Sequence, residues 1–334
     1  MTRLLVEHSN SVGTGRLTSQ RSVWERLAFY THPGGVADWR IVLLHEAAEE
    51  AGLLDALPGA PAALADRLGL NAHAVRVVLE ALAVWGVVEA RPDGAFAPGP
   101  EFPNSDEAAV LRHHARSVRV WAGTGDRLRG SPVPVHDEPR RVKIMLDALV
   151  VNGRESAPGA VDGCLARVPD ARRVLDLGGG HGEYGIEFAR RGLQVVMQDR
   201  PEVVDYARRR QEVIEAGVEL FAGDFFETLP AGPFDVVFCA GVVYTLAPER
   251  VVELFRRVRP LVAPGGRLAV HTFLRGSDEM AAIFAVQMLA VSGGDTHSEG
   301  DFRHWFERAR YPSVEVVRLH RRPESMLFAE RSPD

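Results

Sequence analysis

The chain has 334 residues, 46% hydrophobic and 25% charged, and a formal net charge of −6 at pH 7. That length exceeds one ordinary core, so two domains are the starting expectation, and the acidic balance gives no electrostatic footprint for nucleic acid or an anionic membrane. Two cysteines, Cys164 and Cys239, make no disulfide framework, no run is long and apolar enough to span a bilayer, and the first residues lack a signal-peptide core, so a cytoplasmic location is expected.

Residues 1–20 are polar with scattered glycine and read as a flexible arm. Apolar residues then recur at helical spacing, Val23 and Leu27 first and Ile41, Val42, Leu44 and Ala48 next, with the break between two helices at His32 to Gly35. Residues 61–68 read as a short helix and 69–71 as a turn. Asn71 is placed to cap a helix over 72–85 whose Val75, Val78, Leu79 and Leu82 share a face. Gly86 ends it, 87–90 reads as a strand, and Pro92 to Gly94 as a hairpin turn before 95–97. Helix, turn, helix and hairpin make a winged helix within 21–105. Its second helix offers only Arg76 and His73 as cations and the wing only Arg91, too few for reading a groove. A packing or dimerisation module is expected, with no nucleic-acid partner, and a ligand-sensing regulator is disfavoured.

Residues 106–166 read as a helical connector broken at 123–130 and 131–139, with an apolar helical run at 142–151 leading to Arg154 and Pro158. From Arg172 strand, loop and helix alternate. Strands are expected at 173–177, 194–198, 219–222, 236–239, 267–272, 314–319 and 325–330, with Ala263 to Gly266 as the turn into the fifth. This alternation predicts an α/β, doubly wound, Rossmann-like sheet over 167–334.

The first of these strands runs into Asp176, then Gly178, Gly179, Gly180 and Gly182. Glycines let the backbone turn tightly and approach a ligand, and the helix expected from about Glu183 aims its N-terminal N–H groups at it. NAD enzymes share such loops. Asp176 two residues before three consecutive glycines moves the balance towards S-adenosylmethionine (SAM). Asp199 ends the second strand where ribose hydroxyls would lie, and Asp224 beside Phe225 and Phe226 ends the third, suiting the amino group and face of adenine.

These motifs resemble the small-molecule O-methyltransferase family of caffeate, hydroxyneurosporene and acetylserotonin methyltransferases and bacterial antibiotic-tailoring enzymes. The resemblance covers roughly residues 21–332. It rests on the glycine-rich loop, Asp199 followed by Pro201, Gly223 to Phe226, Pro264 to Gly266, and the winged helix in front. It implies a class I methyltransferase domain behind a winged-helix dimerisation domain, a homodimer, and a substrate cleft between the domains. It also implies SAM contacts at Asp176, Gly178, Gly180, Asp199, Asp224 and Phe225, with Cys239 beside the methionine part. Met145 and Leu149 fall on the helix that roofs the pocket, with Asn152 and Arg154 after them.

One departure bears on the chemistry. The family's His, commonly followed by Asp, serves as general base after the fourth strand, and here Tyr244 and Thr245 stand there. A phenol with a pKa near 10 is a poor base at neutral pH, and the pair makes a poor metal site, so no metal is expected. His271 at the fifth strand end and His297 before the last helix are the alternative bases, His297 being preferred because its loop reaches the cleft in relatives. The function expected is methyl transfer from SAM to oxygen, nitrogen or carbon of a small aromatic metabolite in bacterial secondary metabolism. The alternative is a SAM-binding enzyme performing hydroxylation, decarboxylation or a pericyclic step.

Overall fold

The structure, a computed structural model, describes residues 38–133, 139–319 and 322–331. The arm expected over 1–20, the helix expected at Val23 and Leu27, and the break expected at His32 to Gly35 lie outside the described residues. Helix α1 (Trp39–Glu50) starts at Asp38, whose carboxylate accepts from Arg40 N at 3.0 Å. Helix α2 (Pro61–Leu68) ends at Gly69, and α3 (Ala72–Val84) is capped by Asn71, which accepts from Ala74 N at 3.0 Å. Strands β1 (Val88–Ala90) and β2 (Phe96–Pro98) pair antiparallel to complete the winged helix. Leu64, Val75, Leu79, Leu82, Val87 and Phe96 form its core. Arg76 is ion-paired to Glu80 on its own helix at 2.7 Å, which neutralises the one arginine of α3.

Helix α4 (Ser105–Ala122) opens with a capping box between Asn104 and Glu107. The expected break after it holds a short helix, α5 (Thr124–Leu128). Helix α6 (Pro139–Leu165) runs 27 residues, well past the 142–151 expected, with Pro158 inside it. An internal proline costs a helix about 3 kcal/mol. Ala157, Ala160, Val161 and Cys164, packed in the core against the sheet, offset that loss and carry the helix on.

The remaining elements are β3 (Arg173–Leu177), α7 (Glu183–Arg190), β4 (Gln194–Asp199), α8 (Pro201–Ala207), α9 (Gln211–Glu215), β5 (Glu219–Ala222), β6 (Phe234–Ala240), α10 (Pro248–Val258), β7 (Val262–Phe273), α11 (Glu279–Val291), α12 (Glu299–Arg308), β8 (Val314–Arg318) and β9 (Glu324–Glu330). They build a seven-stranded sheet in the order β5-β4-β3-β6-β7-β9-β8. Strands β3 to β7 are parallel, and β9 runs antiparallel to both its neighbours. Helices α6 and α7 cover one face, and α10 and α12 the other. The strand order reverses between β3 and β6, and ligands of doubly wound sheets bind at that point, beyond the carboxyl ends of the strands.

All seven expected strands are present. The turn expected at Ala263 to Gly266 falls inside β7: Phe234 pairs with Val262 but Val236 with Arg267. The proline and glycines bulge out while the strand on either side stays paired. No described helix is long and apolar enough to cross a membrane.

Candidate active site

Strand β3 delivers Asp176 beneath the glycine-rich loop with no exposed surface. Burial pushes its carboxyl up to about 7, and the neighbouring Asp199 carboxylate adds to the rise. Gly180 sits at the top of the loop with φ +56°, a left-handed conformation that glycine adopts without strain. Its N–H donates to Asp199 Oδ2 at 2.9 Å, while Asp199 Oδ1 accepts from Arg200 N at 2.7 Å. Asp199 is half-buried, and burial raises its pKa. Each of its oxygens keeps acceptor capacity for the hydroxyls of a ribose.

Beyond β5, Asp224 is exposed, and its Oδ1 accepts from Phe226 N at 2.7 Å. The half-buried Phe225 ring meets Phe226 edge-on at 4.8 Å, and Arg257 Nε holds the Phe225 carbonyl at 3.1 Å. Cys239, at the end of β6, is buried in the core, and burial pushes its thiol up to about 12, so it stays neutral. A tight loop, a carboxylate for vicinal hydroxyls, and an acid beside an aromatic ring all line the strand ends β3, β4 and β5. That donor set fits SAM.

Helix α6 lies over the loop. Leu146 Cδ2 is 3.7 Å from where a Cβ on Gly180 would stand, and His181 is buried beneath the same helix, its ring held neutral by burial with a pKa of about 3. Met145 and Leu149 are half-buried on α6. Asn152 is buried, and its Oδ1 accepts from Arg322 at 2.7 Å. Arg154 has its guanidinium 2.9 Å from Asp106, 3.7 Å from Glu183 and 3.8 Å from Glu212. Three carboxylates, from α4, α7 and α9, thus surround the charge of Arg154.

Past β6, Tyr244 sits in a single 3-10 turn, Val243–Thr245. Its ring meets Phe284 of α11 edge-on at 4.8 Å, and Phe284 stacks on Phe273 at 4.3 Å. Burial raises the phenol well above its ordinary range, which removes it as a base near neutral pH. His297 stands edge-on to Trp305 at 4.7 Å and near Phe302 at 6.4 Å, and its carbonyl accepts from Arg275 N at 2.9 Å. His297 Nε2 is buried without a partner among the described residues, and the ring packs against α12. His271, at the end of β7, is 4% exposed, its Nδ1 lies 3.2 Å from the Tyr184 hydroxyl, and its Nε2 has no partner among the described residues. Burial lowers its pKa, opposed by the nearby Glu324 carboxylate.

Sequence reasoning missed Ser156, Tyr184, Arg322 and Glu324. No motif joins them to His271; they converge only because α6, α7, β7 and β9 meet on one face of the sheet. Among the described residues no cluster of His, Cys, Asp and Glu is placed to hold a metal.

Residues 164–312 match the family model described as O-methyltransferase domain. The chain is similar to the 3-amino-4-hydroxybenzoate 4-O-methyltransferase of Streptomyces cremeus, 28% identical over 311 residues covering 84% of each chain. It is also similar to the mitomycin biosynthesis 6-O-methyltransferase of Streptomyces lavendulae, 27% identical over 303 residues covering 81% of this chain and 85% of the relative. Among solved structures, human N-acetylserotonin methyltransferase in complex with SAM superposes with a TM-score of 0.68 at 22% identity, covering 88% of this chain and 94% of that one. At that identity the likeness is one of fold.

Proposed function

We propose that this chain, whose residues 164–312 belong to the O-methyltransferase domain family, moves the methyl group of SAM onto a small aromatic acceptor in bacterial secondary metabolism. The observation that carries the reading is the Asp199 carboxylate closing on the Gly180 N–H at 2.9 Å at the point where the strand order reverses. When bound there, SAM supplies a methyl group on a sulfonium, open to in-line displacement by a nucleophile. Asp199 would take the ribose hydroxyls, Asp224 and Phe225 the adenine, and the backbone at Gly178 and Gly180 would approach the rest. Asp176 supports the loop from below, and Cys239 closes the floor as a neutral thiol.

In this reading Met145, Leu149 and Asn152 of α6, with Tyr244, Phe273 and Phe284, form the acceptor side of the cleft. Much of the rate then comes from orienting the nucleophile and keeping water out. Tyr244 acts as a wall, His297 as packing, and His271 takes the proton. The S. cremeus relative is named for an aminated and hydroxylated benzoate, which supports an aromatic acceptor carrying such groups. In this reading residues 21–105 form a dimerisation domain in a cytoplasmic homodimer, and the exposed Trp39, Val77 and Val84 supply apolar surface for it. Light scattering at micromolar concentration should give twice the chain mass, and a monomer contradicts the dimer.

The test of the reaction is incubation with methyl-labelled SAM and a panel of hydroxylated and aminated benzoates. Label in a product, with one S-adenosylhomocysteine formed per methyl, is expected. A converted acceptor beside intact SAM, or SAM untouched across the panel, contradicts it.

A further inference from the structure

A directed chain of hydrogen bonds stands behind His271. Ser156 Oγ donates to the carbonyl of Asn152 at 2.9 Å, the bond a helical serine makes to the residue four before it. A hydroxyl has one hydrogen, so towards Tyr184 Oη, 2.8 Å away, Ser156 accepts. Tyr184 thereby spends its own single hydrogen, and towards His271 Nδ1, 3.2 Å away, its oxygen accepts in turn. Nδ1 is then the protonated ring nitrogen, and Nε2 carries a bare lone pair. Ser156 is 2% exposed, Tyr184 5% and His271 4%, so solvent does not compete for these bonds.

A second polar atom waits beside it. His271 pairs with Met326 across the β7–β9 ladder, and Phe273 with Glu324, so His271 and Glu324 occupy diagonal positions on one face, about 7–8 Å apart at Cα. Glu324 Oε1 accepts from Arg322 at 3.3 Å, whereas Oε2 is buried without a partner among the described residues. The titratable and charged groups facing the imidazole are Tyr184 from α7, Glu324 on β9 and Arg322 just before it. The carboxylate favours the imidazolium and the guanidinium opposes it.

We propose that Ser156 and Tyr184 are positioning residues that hold His271 as the Nδ1-protonated tautomer, so that Nε2 receives the proton of the acceptor's O–H or N–H while Glu324 faces the imidazolium that forms. The proton passes from the acceptor heteroatom to Nε2. The heteroatom's electron pair makes the new bond to the methyl carbon, the old carbon–sulfur pair stays on sulfur, and the imidazolium later returns its proton to solvent. This rests on the methyl-transfer reading, and the first measurement below needs neither acceptor nor turnover.

That measurement is a long-range proton–nitrogen correlation spectrum of protein carrying nitrogen-15 histidine, near pH 7.5, with the His271 signals identified by their loss in His271→Gln. The Nδ1–H pattern is expected for the wild type, and a shift towards the other tautomer in Tyr184→Phe. An Nε2–H pattern in the wild type, or one unmoved by Tyr184→Phe, overturns the proposal even if the enzyme methylates. In the labelled-methyl assay Tyr184→Phe should lower kcat at least tenfold with acceptor KM within twofold, and Ser156→Thr should recover what Ser156→Ala loses. A KM effect alone contradicts the positioning role. A correct tautomer without methyl transfer would instead count against the reaction.

Discussion

Gly153 of α6 lies so close to His181 in the glycine-rich loop that a Cβ added to it would stand 2.4 Å from the ring Cε1 and 2.8 Å from Glu183 Cβ. The missing side chain lets the roof helix seat directly on the cofactor loop. Alanine has the higher helix propensity by about 1 kcal/mol, yet overpacking costs ~1–3 kcal/mol, and His181 cannot give way because its Nδ1 accepts from Glu183 N at 3.1 Å. Gly153→Ala should therefore lower stability and weaken SAM binding about tenfold. Gly159→Ala is the control: it lies on the same helix with nothing within 4 Å of an added Cβ, so it should gain up to about 1 kcal/mol. Urea unfolding of the two variants checks this; a stabilised Gly153→Ala contradicts the close contact.

Asp176 makes stability depend on pH in a defined direction. Its native carboxyl keeps a proton up to about pH 7, against 3.8 for the free group. Between those values the native state binds more protons than the unfolded chain, so stability falls as pH rises through this window, by up to roughly 4 kcal/mol. Asp176→Asn should flatten that part of the profile. Urea melts of the SAM-free protein from pH 5 to pH 8 should show the two curves converging at low pH; parallel curves contradict the buried carboxyl.

Tyr244 stands where the resemblance leads one to expect a general base, but its buried phenol is far too weakly acidic to exchange protons near neutrality. Tyr244→Phe keeps the ring against Phe284 and removes only the hydroxyl. Turnover in the labelled-methyl assay should stay within twofold of wild type, and a tenfold fall would make the phenol a participant.

Arg154 should be silent towards the acceptor. Arg154→Ala should leave acceptor KM within twofold, because its partners are Asp106, Glu183 and Glu212. A rise in KM of fivefold or more would restore Arg154 to the pocket.

What the sequence made legible follows the reach of each signal. Strand and helix periodicity, glycine punctuation and the Asn71 cap act over a few residues, and the seven strands and the winged helix were readable from them. The strand-end placement of Asp176, Asp199 and Asp224 was readable too, at or just beyond the ends of β3, β4 and β5. The helical run expected at 142–151 covers only part of α6, which packing against the sheet carries through Pro158 to Leu165. Nor do local signals reach the ion pairs of Arg154, whose carboxylate partners lie 48, 29 and 58 residues away in the chain (positions 106, 183 and 212). The relation of Ser156, Tyr184, Glu324 and His271 was out of reach, because it depends on which faces of four elements meet. The choice between His271 and His297 likewise depends on which elements meet: the fold sets one ring beside the aromatic side chains of α12 and the other beside a hydroxyl chain.

The central claim is that Asp199 and the loop at Gly180 hold SAM, and calorimetric titration of SAM into the wild type, Asp199→Asn and Asp199→Ala tests it most directly. One SAM per chain is expected for the wild type, displaced by S-adenosylhomocysteine, with affinity lowered in Asn and at least tenfold weaker in Ala. No binding by the folded wild type, or equal affinity in Asp199→Ala, would contradict the account.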